Sequence, residues 1–428
     1  MLALFVTILL LVMLAIGVPV GFALAVAGVV GLYSLGGLNM VLGVMNTAPL
    51  SAASSYELIT VPMFLLMAEF VILSGVADDL FDSASKWVGR IPGGLGIATA
   101  FAGAGFGAIS GSSTASAATL SSTSIPAMLK AGYEPKLACG VVAISGTLAM
   151  LIPPSIALVL FGIIADVSIG ELLIGGIIPG LMVMLAIVTT VFFLVWRDPT
   201  RAPTGKRYTF REKFASLKVV WPMIVLFMAV TGIIYIGIAT PTEAAGIGAF
   251  GGFVIALARG RVNVGTLSHA LTRAAQTTCM IIMIILGAQF FGYFFTVTQT
   301  TQQIVAAIGG LPVDRWVIMG LILLLYLILG CFMDQAAILI LTIPIMLPVV
   351  KALGFDPVWF GVLVVVTAEV GMVTPPVGLN VFVVSRYTGR PLDEVFRGVG
   401  PHVFAHLIVI TLFCLFPQLV LWLPQTMR

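Results

Sequence analysis

Apolar positions along this chain form long, nearly unbroken runs. Residues 2–16, 20–33, 58–73 and 172–196 in the first half are almost wholly apolar, as are 219–238, 242–258, 278–295 and 399–423 in the second. A helix rising about 1.5 Å per residue needs about 20 residues to cross roughly 30 Å of hydrocarbon, so these runs predict membrane-spanning helices. A transmembrane β-barrel would show short alternating segments instead. Residues 76–90 differ: Asp78, Asp79, Asp82, Lys86 and Arg90 are interleaved with Leu80, Phe81 and Trp87. That pattern predicts an amphipathic helix lying along the interface. Residues 36–55 and 296–309 are less hydrophobic, and the second of these reads as interfacial.

Two apolar runs are interrupted near their midpoints. Residues 140–164 carry Leu151-Ile152-Pro153-Pro154-Ser155, and residues 359–384 carry Val373-Thr374-Pro375-Pro376-Val377. A Pro-Pro pair removes two amide donors and clashes with the preceding turn, so neither run continues as one helix. Pro153, Pro154, Pro375 and Pro376 are therefore predicted helix breaks. Each break follows a run with a polar middle. Residues 95–128 turn on Ser110-Gly111-Ser112-Ser113-Thr114-Ala115-Ser116, and residues 316–350 on Gly330-Cys331-Phe332-Met333-Asp334-Gln335. The arms on either side are short, which predicts re-entrant hairpins; such backbone survives at membrane depth only within protein or beside a watery cavity.

The two halves repeat. Pro135 is followed eighteen residues later by Pro153, and Pro357 eighteen later by Pro375. Pro19, Pro135, Pro153, Pro154 and Pro179 match Pro241, Pro357, Pro375, Pro376 and Pro401 at an offset of 222. Pro92 with Pro312 and Pro126 with Pro344 stay within four residues of it, at 220 and 218. Internal duplication follows. The expected plan is an all-α polytopic membrane protein of two repeats, 1–196 and 219–428, joined by a linker at 197–218. The first holds a hairpin at about 93–130 and a broken helix at about 134–165; the second holds them at about 312–351 and 355–386.

Composition agrees: 60% of residues are hydrophobic, 9% are charged and the mean hydropathy is +1.18. The net charge of +3 matters less than its placement, since seven of the twenty Lys and Arg lie at 197–218. No fold-sized soluble domain accompanies that cluster, so nucleic acid is a poor partner for it. By the positive-inside rule the linker is cytoplasmic. About five crossings per half, an odd number, then make the repeats inverted and put both termini outside. Residues 1–17 resemble a signal-peptide core without its basic segment and are read as a retained span. Cys139, Cys279, Cys331 and Cys414 lack metal-ligand spacing and read as small core residues.

Inverted repeats would bring both tips and both breaks towards the midplane. Broken helices expose carbonyls at one end and amides at the other, which suits a cation such as Na⁺ beside an anionic substrate. Ser110, Ser112, Ser113, Thr114, Ser145, Thr147 and Ser155 supply oxygens in the first half, and Asp334, Thr342, Thr374 and Asn380 in the second. The alternative for each hydroxyl is a bond to its own helix backbone or close packing. A carboxylate in a membrane hairpin is costly, which singles out Asp334, though it also stands where an N-cap belongs. Glu369 either lines the site or pairs with another group. Arg386 stands where it would meet a substrate carboxylate, or serves as a flanking cytoplasmic charge. Glu69 and Glu243 lie within or at the ends of spans, Glu243 suiting a helix's first turn. His402 and His406 have clamp spacing but no further ligand cluster. No G-x-S-x-G or Walker A pattern is present, and no His lies in the first half, which disfavours an enzyme. A passive channel is the rival from another class, but it needs a continuous polar pore.

Several segments together carry a family resemblance. Ile109-Ser110-Gly111-Ser112-Ser113, Ile125-Pro126-Ala127-Met128-Leu129-Lys130-Ala131-Gly132-Tyr133, Leu151-Ile152-Pro153-Pro154-Ser155 and Pro241-Thr242-Glu243-Ala244-Ala245 resemble the DctM-type large membrane subunit of tripartite ATP-independent periplasmic (TRAP) transporters. Phe332-Met333-Asp334 and Val373-Thr374-Pro375-Pro376-Val377-Gly378-Leu379-Asn380 match its second half, so the resemblance spans essentially the whole chain. It implies a sodium-coupled importer of small organic anions, C4-dicarboxylates or related carboxylates, in a bacterial inner membrane. An elevator-like mechanism is implied as well. The implied partners are a small four-helix membrane subunit, expected as a separate chain, and a periplasmic substrate-binding protein. Na⁺ is the one implied metal, as a co-transported ion, with no organic cofactor. One sodium site would map onto Ser110, Gly111, Ser112 and Ser113 with Gly146 and Thr147. The other would map onto Gly330 and Asp334 with Gly371, Thr374, Gly378 and Asn380. Ser112, Thr114, Ser155, Asn380 and Arg386 are the expected substrate contacts. The first tip lacks the acidic residue of sialic-acid-type relatives, which tilts the expectation towards dicarboxylates. The rival readings are a passive anion channel and a stand-alone sodium/carboxylate symporter.

Overall fold

In hydrocarbon every backbone N–H and C=O must find a partner within the protein, so the apolar runs fold as helices. The computed structural model describes residues 2–309 and 312–427, and among them there is no β-strand. Eight of its helices are long and apolar enough to cross a membrane, and several shorter apolar helices accompany them.

The chain opens with α1 (Leu2–Ala15) and α2 (Val20–Ala53), α2 being kinked at Gly36 and Gly37. Gly37, at φ 64°, takes a backbone conformation that costs a side-chain-bearing residue. Helix α3 (Thr60–Ser74) leads through left-handed Gly75 into the amphipathic α4 (Val76–Val88). The first hairpin is α5 (Gly94–Ser110) and α6 (Ser113–Lys130). The first interrupted helix is α7 (Pro135–Thr147) and α8 (Ile156–Ala165), with α9 (Ile169–Gly175) and α10 (Ile177–Arg197) after it.

The order then recurs. Helices α11 (Phe210–Tyr235), α12 (Pro241–Ala258) and α13 (Val264–Val297) precede a short α14 (Thr300–Gly309). Next come a hairpin of α15 (Arg315–Gly330) and α16 (Gln335–Ala352), and an interrupted helix of α17 (Pro357–Gly371) and α18 (Leu379–Thr388). Helices α19 (Leu392–Leu415) and α20 (Gln418–Gln425) close the chain. Both Pro-Pro bonds are cis and fall in the two gaps between half-helices.

Two helices begin well before their apolar runs. Thr209 and Glu212 form a reciprocal capping box, with Thr209 N donating to Glu212 Oε2 at 2.7 Å, so α11 starts at Phe210 instead of near 219. Asn263 likewise caps α13, which therefore contains Arg273. Polar residues are compatible with a helix that extends past the apolar layer, which hydropathy alone does not mark.

Packing divides the helices into two bodies. Helices α2 and α13 pack along each other, as do α3 and α12, and α3 also packs on α13. Backbones approach closely here: a Cβ on Gly28 would lie 2.6 Å from Phe291 N. The hairpins and interrupted helices form the second body, in which α6 packs on α7 and α18, α16 on α8, and α15 on α17. Small residues allow this density too, as where Gly140 of α7 meets Gly398 of α19 backbone to backbone. Helix α4 joins the bodies, touching α5 and α11, and is held by an ion pair between Asp79 and Arg259. The 198–209 linker lies against the start of α7 and the end of α4. Glu134 N donates to Arg201 O at 2.8 Å, and Gly205 N to Gly89 O at 3.1 Å.

Candidate functional site

Each hairpin tip rests on the break of its own half. Gly111, left-handed at φ 55°, ends α5, and a Cβ there would sit 2.9 Å from Ile156 and 3.3 Å from Pro154 O. Ser112 then caps α6, accepting from Ala115 N at 3.4 Å. Gly146 packs against Ser113 O. In the second half Gly378 N donates to Cys331 O at 3.3 Å, and Gly330 meets Gly371. The two halves touch where the Ser113 hydroxyl lies 3.8 Å from Met372 Sδ.

A cavity of about 220 Å³ lies where the tips approach the α3–α13 pair. Ser110, Gly111, Ser112, Ser113 and Thr114 line it from the first tip, and Asp334, Gln335 and Ala336 from the second. Met150 and Ile156 border it beside the first break, and Met372 at the second. The facing body contributes Leu65, Ala68, Glu69 and Ile72 from α3, and Arg273, Thr277, Met280 and Ile281 from α13. Glu69 Oε1 and Arg273 Nε are 3.2 Å apart. A wider cavity of about 730 Å³ adjoins it, lined by Ser112, Thr114, Ala115, Ala118, Arg273, Phe382, Val383, Arg386 and Tyr387.

The candidate residues from sequence fall into three groups. Ser110, Gly111, Ser112, Ser113, Thr114 and Asp334 line the inner cavity, and Arg386 the outer one. Several of these also bond locally: Ser110 Oγ with Ser116 Oγ at 2.8 Å, and Asp334 Oδ1 accepting from Ala337 N at 2.8 Å as the α16 cap. Gly146, Gly330, Gly371 and Gly378 sit at the tip–break contacts. Thr147 and Thr374 donate to their own helices, to Ile144 O and Val370 O, each at 2.7 Å. Ser155 caps α8 by accepting from Leu158 N at 3.2 Å and donates to Met150 O, so its hydroxyl closes the break loop. Neither Ser155 nor Asn380 is among the residues lining the two cavities. Asn380 is fully buried, with neither side-chain polar atom partnered among the described residues.

Glu369 is 3% exposed, and neither of its oxygens has a hydrogen-bond partner among the described residues. Gln335, at the start of α16, donates at 3.4 Å to Val365 O, one turn before Glu369 along α17, and leaves its own Oε1 unpartnered. Cation ligation is chemistry that such unmatched oxygens can perform. His402 and His406 are buried on α19, joined by a 2.8 Å contact from His406 Nδ1 to His402 O. No group of three His, Cys, Asp or Glu side chains able to hold a metal occurs among the described residues.

Residues 7–419 match the sequence model of the tripartite ATP-independent periplasmic transporter, DctM component. The chain belongs to this family. A C4-dicarboxylate TRAP transporter large permease from Pseudomonas aeruginosa is 36% identical over 372 residues, 86% of each chain. The sialic acid TRAP transporter large permease of Vibrio cholerae is 33% identical, covering 96% of this chain and 95% of its own. The crystal structure of the YdaH transporter of Alcanivorax borkumensis aligns with a TM-score of 0.64 over 90% of both chains at 15% identity, a likeness of fold. This DctM-family chain is thus a multi-pass membrane protein of a transporter permease family, whose relatives are named for various organic anions.

Two residues lining its cavities, Glu69 and Arg273, were not expected as site residues. The signal was periodicity. Leu65, Ala68, Glu69 and Ile72 stand at i, i+3, i+4 and i+7, and Arg273, Thr277, Met280 and Ile281 at i, i+4, i+7 and i+8. Each set forms one helical stripe. The apolar run begins only at residue 278, past Arg273, so hydropathy alone places Arg273 outside the helix that contains it.

Proposed function

We propose that this chain is the large permease subunit of a sodium-coupled, binding-protein-dependent importer of small organic anions, C4-dicarboxylates or related carboxylates. One observation carries the reading. The inner cavity gathers tip hydroxyls, a tip carboxylate and a guanidinium at the contact between the two helix bodies. Half-helix ends and unmatched oxygens suit Na⁺, while Arg273 and the α6 amino end suit an anion.

The proposed architecture is a pair of inverted repeats, the two hairpins and interrupted helices moving as a unit against the α2, α3, α12 and α13 body. The packing supports it, because α2–α13 and α3–α12 are exchanged if the halves are exchanged, as are α16–α8 and α6–α18. The proposed sodium sites pair Ser110, Gly111, Ser112 and Ser113 with Gly146 and Thr147, and Gly330 and Asp334 with Gly371, Thr374, Gly378 and Asn380. A cavity of about 410 Å³ lies between the same bodies beside Ile163 and Ile164, at the far end of α8 from its break. Paired cavities of this kind fit alternating access.

By the charge rule, the 197–218 linker and Arg386 face the cytoplasm of a bacterial inner membrane and both termini the periplasm. The described conformation then opens inward through the wider cavity. A small four-helix membrane subunit and a periplasmic binding protein are the proposed partners. The test is uptake into proteoliposomes of the binding protein's ligand. Uptake should require sodium and both partners. Equal uptake with choline replacing sodium, or by this chain alone, refutes the reading, and current without the binding protein would indicate a channel.

A further inference from the structure

The wider cavity is electropositive on both walls. Arg273 enters it from α13, in one helix body, and Arg386 from α18, in the other. Between them lie Ser112 and Thr114 at the amino end of α6, whose first amides have no partner within the helix and carry its positive dipole. Among the described residues no carboxylate lines this cavity. Arg386 enters no ion pair among the described residues.

Arg273 is held by one edge alone. Glu69 meets its Nε at 3.2 Å, while the side chain remains 50% exposed. The two terminal nitrogens make no hydrogen bond among the described residues, so the fork that would receive a carboxylate is unoccupied by protein. Glu69 is only 14% exposed and does not line the wider cavity, so it serves as a positioning group behind the guanidinium.

We infer that Arg273 and Arg386 form a two-point receptor for a dianion, one anionic group at each guanidinium, so that bound substrate bridges the two helix bodies. This rests on the transport reading above and sharpens its substrate class. A planar guanidinium binds a carboxylate through two parallel bonds, and such charge-assisted contacts are the strong ones. A monoanion fills one of the two guanidinium forks and leaves the open edge of the other without an anion, so the receptor discriminates by the number of anionic groups. The α6 amino end adds to the attraction without choosing between them.

The probe pair is succinate and its mono-amide succinamate, nearly the same in shape and different by one charge. Binding of each to the purified permease complex in sodium buffer is read by calorimetric titration. The wild type should prefer succinate by about tenfold or more, the scale of one charge-assisted contact. Arg273→Gln and Arg386→Gln should each abolish that preference. Should a Gln variant fail to assemble, Arg273→Lys and Arg386→Lys retain the charge without the fork, and their preference should lie between. A wild type without the preference, or one that binds no succinate, overturns the proposal. So does a preference that survives both Gln substitutions. Sodium- and binding-protein-dependent uptake of a monoanion by the same preparation would leave the transport reading standing while this one fell.

Discussion

Gly330 and Gly371 meet with no side chain between them. A Cβ built on Gly371 would lie 2.6 Å from Gly330 Cα, and one on Gly330 would lie 2.9 Å from Gly371 Cα. This contact sets the second hairpin directly on the helix that ends at the second break, with Gly378 N reaching Cys331 O just beyond it. The first half closes differently, with Gly107 against Ala149 and Gly111 against Pro154 and Ile156. In both halves the tip is held by backbone, and any added methyl must push tip and break apart.

Gly371→Ala should therefore cost about 1–3 kcal/mol, the usual penalty for overpacking, and should weaken sodium activation of uptake. Thermal unfolding of the detergent-solubilised protein reads the first effect, and the sodium concentration for half-maximal uptake reads the second. A variant with unchanged values in both would show that the close approach is not needed for either. Gly320→Ala, with open space around its Cα, is the control and should be neutral on both measures.

Glu369 offers a different test, because removing it should help the fold. A buried carboxylate without a partner is costly in hydrocarbon, and replacing such a group with an apolar one of similar volume is often stabilising. Glu369→Met should raise the unfolding temperature while reducing transport, the trade expected of a group retained for function. If the temperature falls, the carboxylate has a structural partner; if uptake is unchanged, transport does not use it.

The apolar runs made the helices legible, and the proline register made the recurring order of hairpin and interrupted helix legible. Both depend on local chemistry: chain length in hydrocarbon, and a ring that cannot join a helix. What escaped was polar chemistry that serves the fold. Ser155, Thr147 and Thr374 bond to nearby backbone, and in the sequence a hydroxyl looks the same whether it does so, faces an ion or does both. Arg273 escaped for the opposite reason, since an arginine beside an apolar run reads as a flanking charge until its helix is traced back to the Asn263 cap. Asp334 was legible in both senses, as a cap and as a cavity residue.

The linker gives a prediction outside the membrane. Arg201 pairs with Asp198 at 3.1 Å and lies 3.6 Å from Glu134, while its carbonyl accepts from Glu134 N. The Thr200 hydroxyl, and then Arg201, hold the Asp198 carboxyl below its usual range. A lowered carboxylate contributes stability above its unfolded value and loses it as pH falls through the folded one. The linker should thus resist proteolysis at neutral pH and become susceptible only on acidification below the ordinary carboxylate range. Arg201→Ala should be cut faster already at neutral pH. Equal cleavage rates for the two proteins at neutral pH would refute the pin.

Asp334 can be separated into its two roles by a pair of substitutions. Asn keeps an oxygen at the position that accepts from Ala337 N, and Asn is as good an N-cap as Asp. Asp334→Asn should therefore leave the unfolding temperature nearly unchanged while removing the only carboxylate at either hairpin tip. Asp334→Ala loses the cap as well and should cost about 1 kcal/mol of stability. If the carboxylate ligates the co-transported cation, both variants should need several-fold more sodium for half-maximal uptake, the Asn variant without any loss of fold. If the cap is its whole purpose, the Asn variant should transport with wild-type sodium dependence and the Ala variant alone should suffer. The decisive measurement is the sodium titration of Asp334→Asn, because stability and charge change together in every variant that also removes the oxygen.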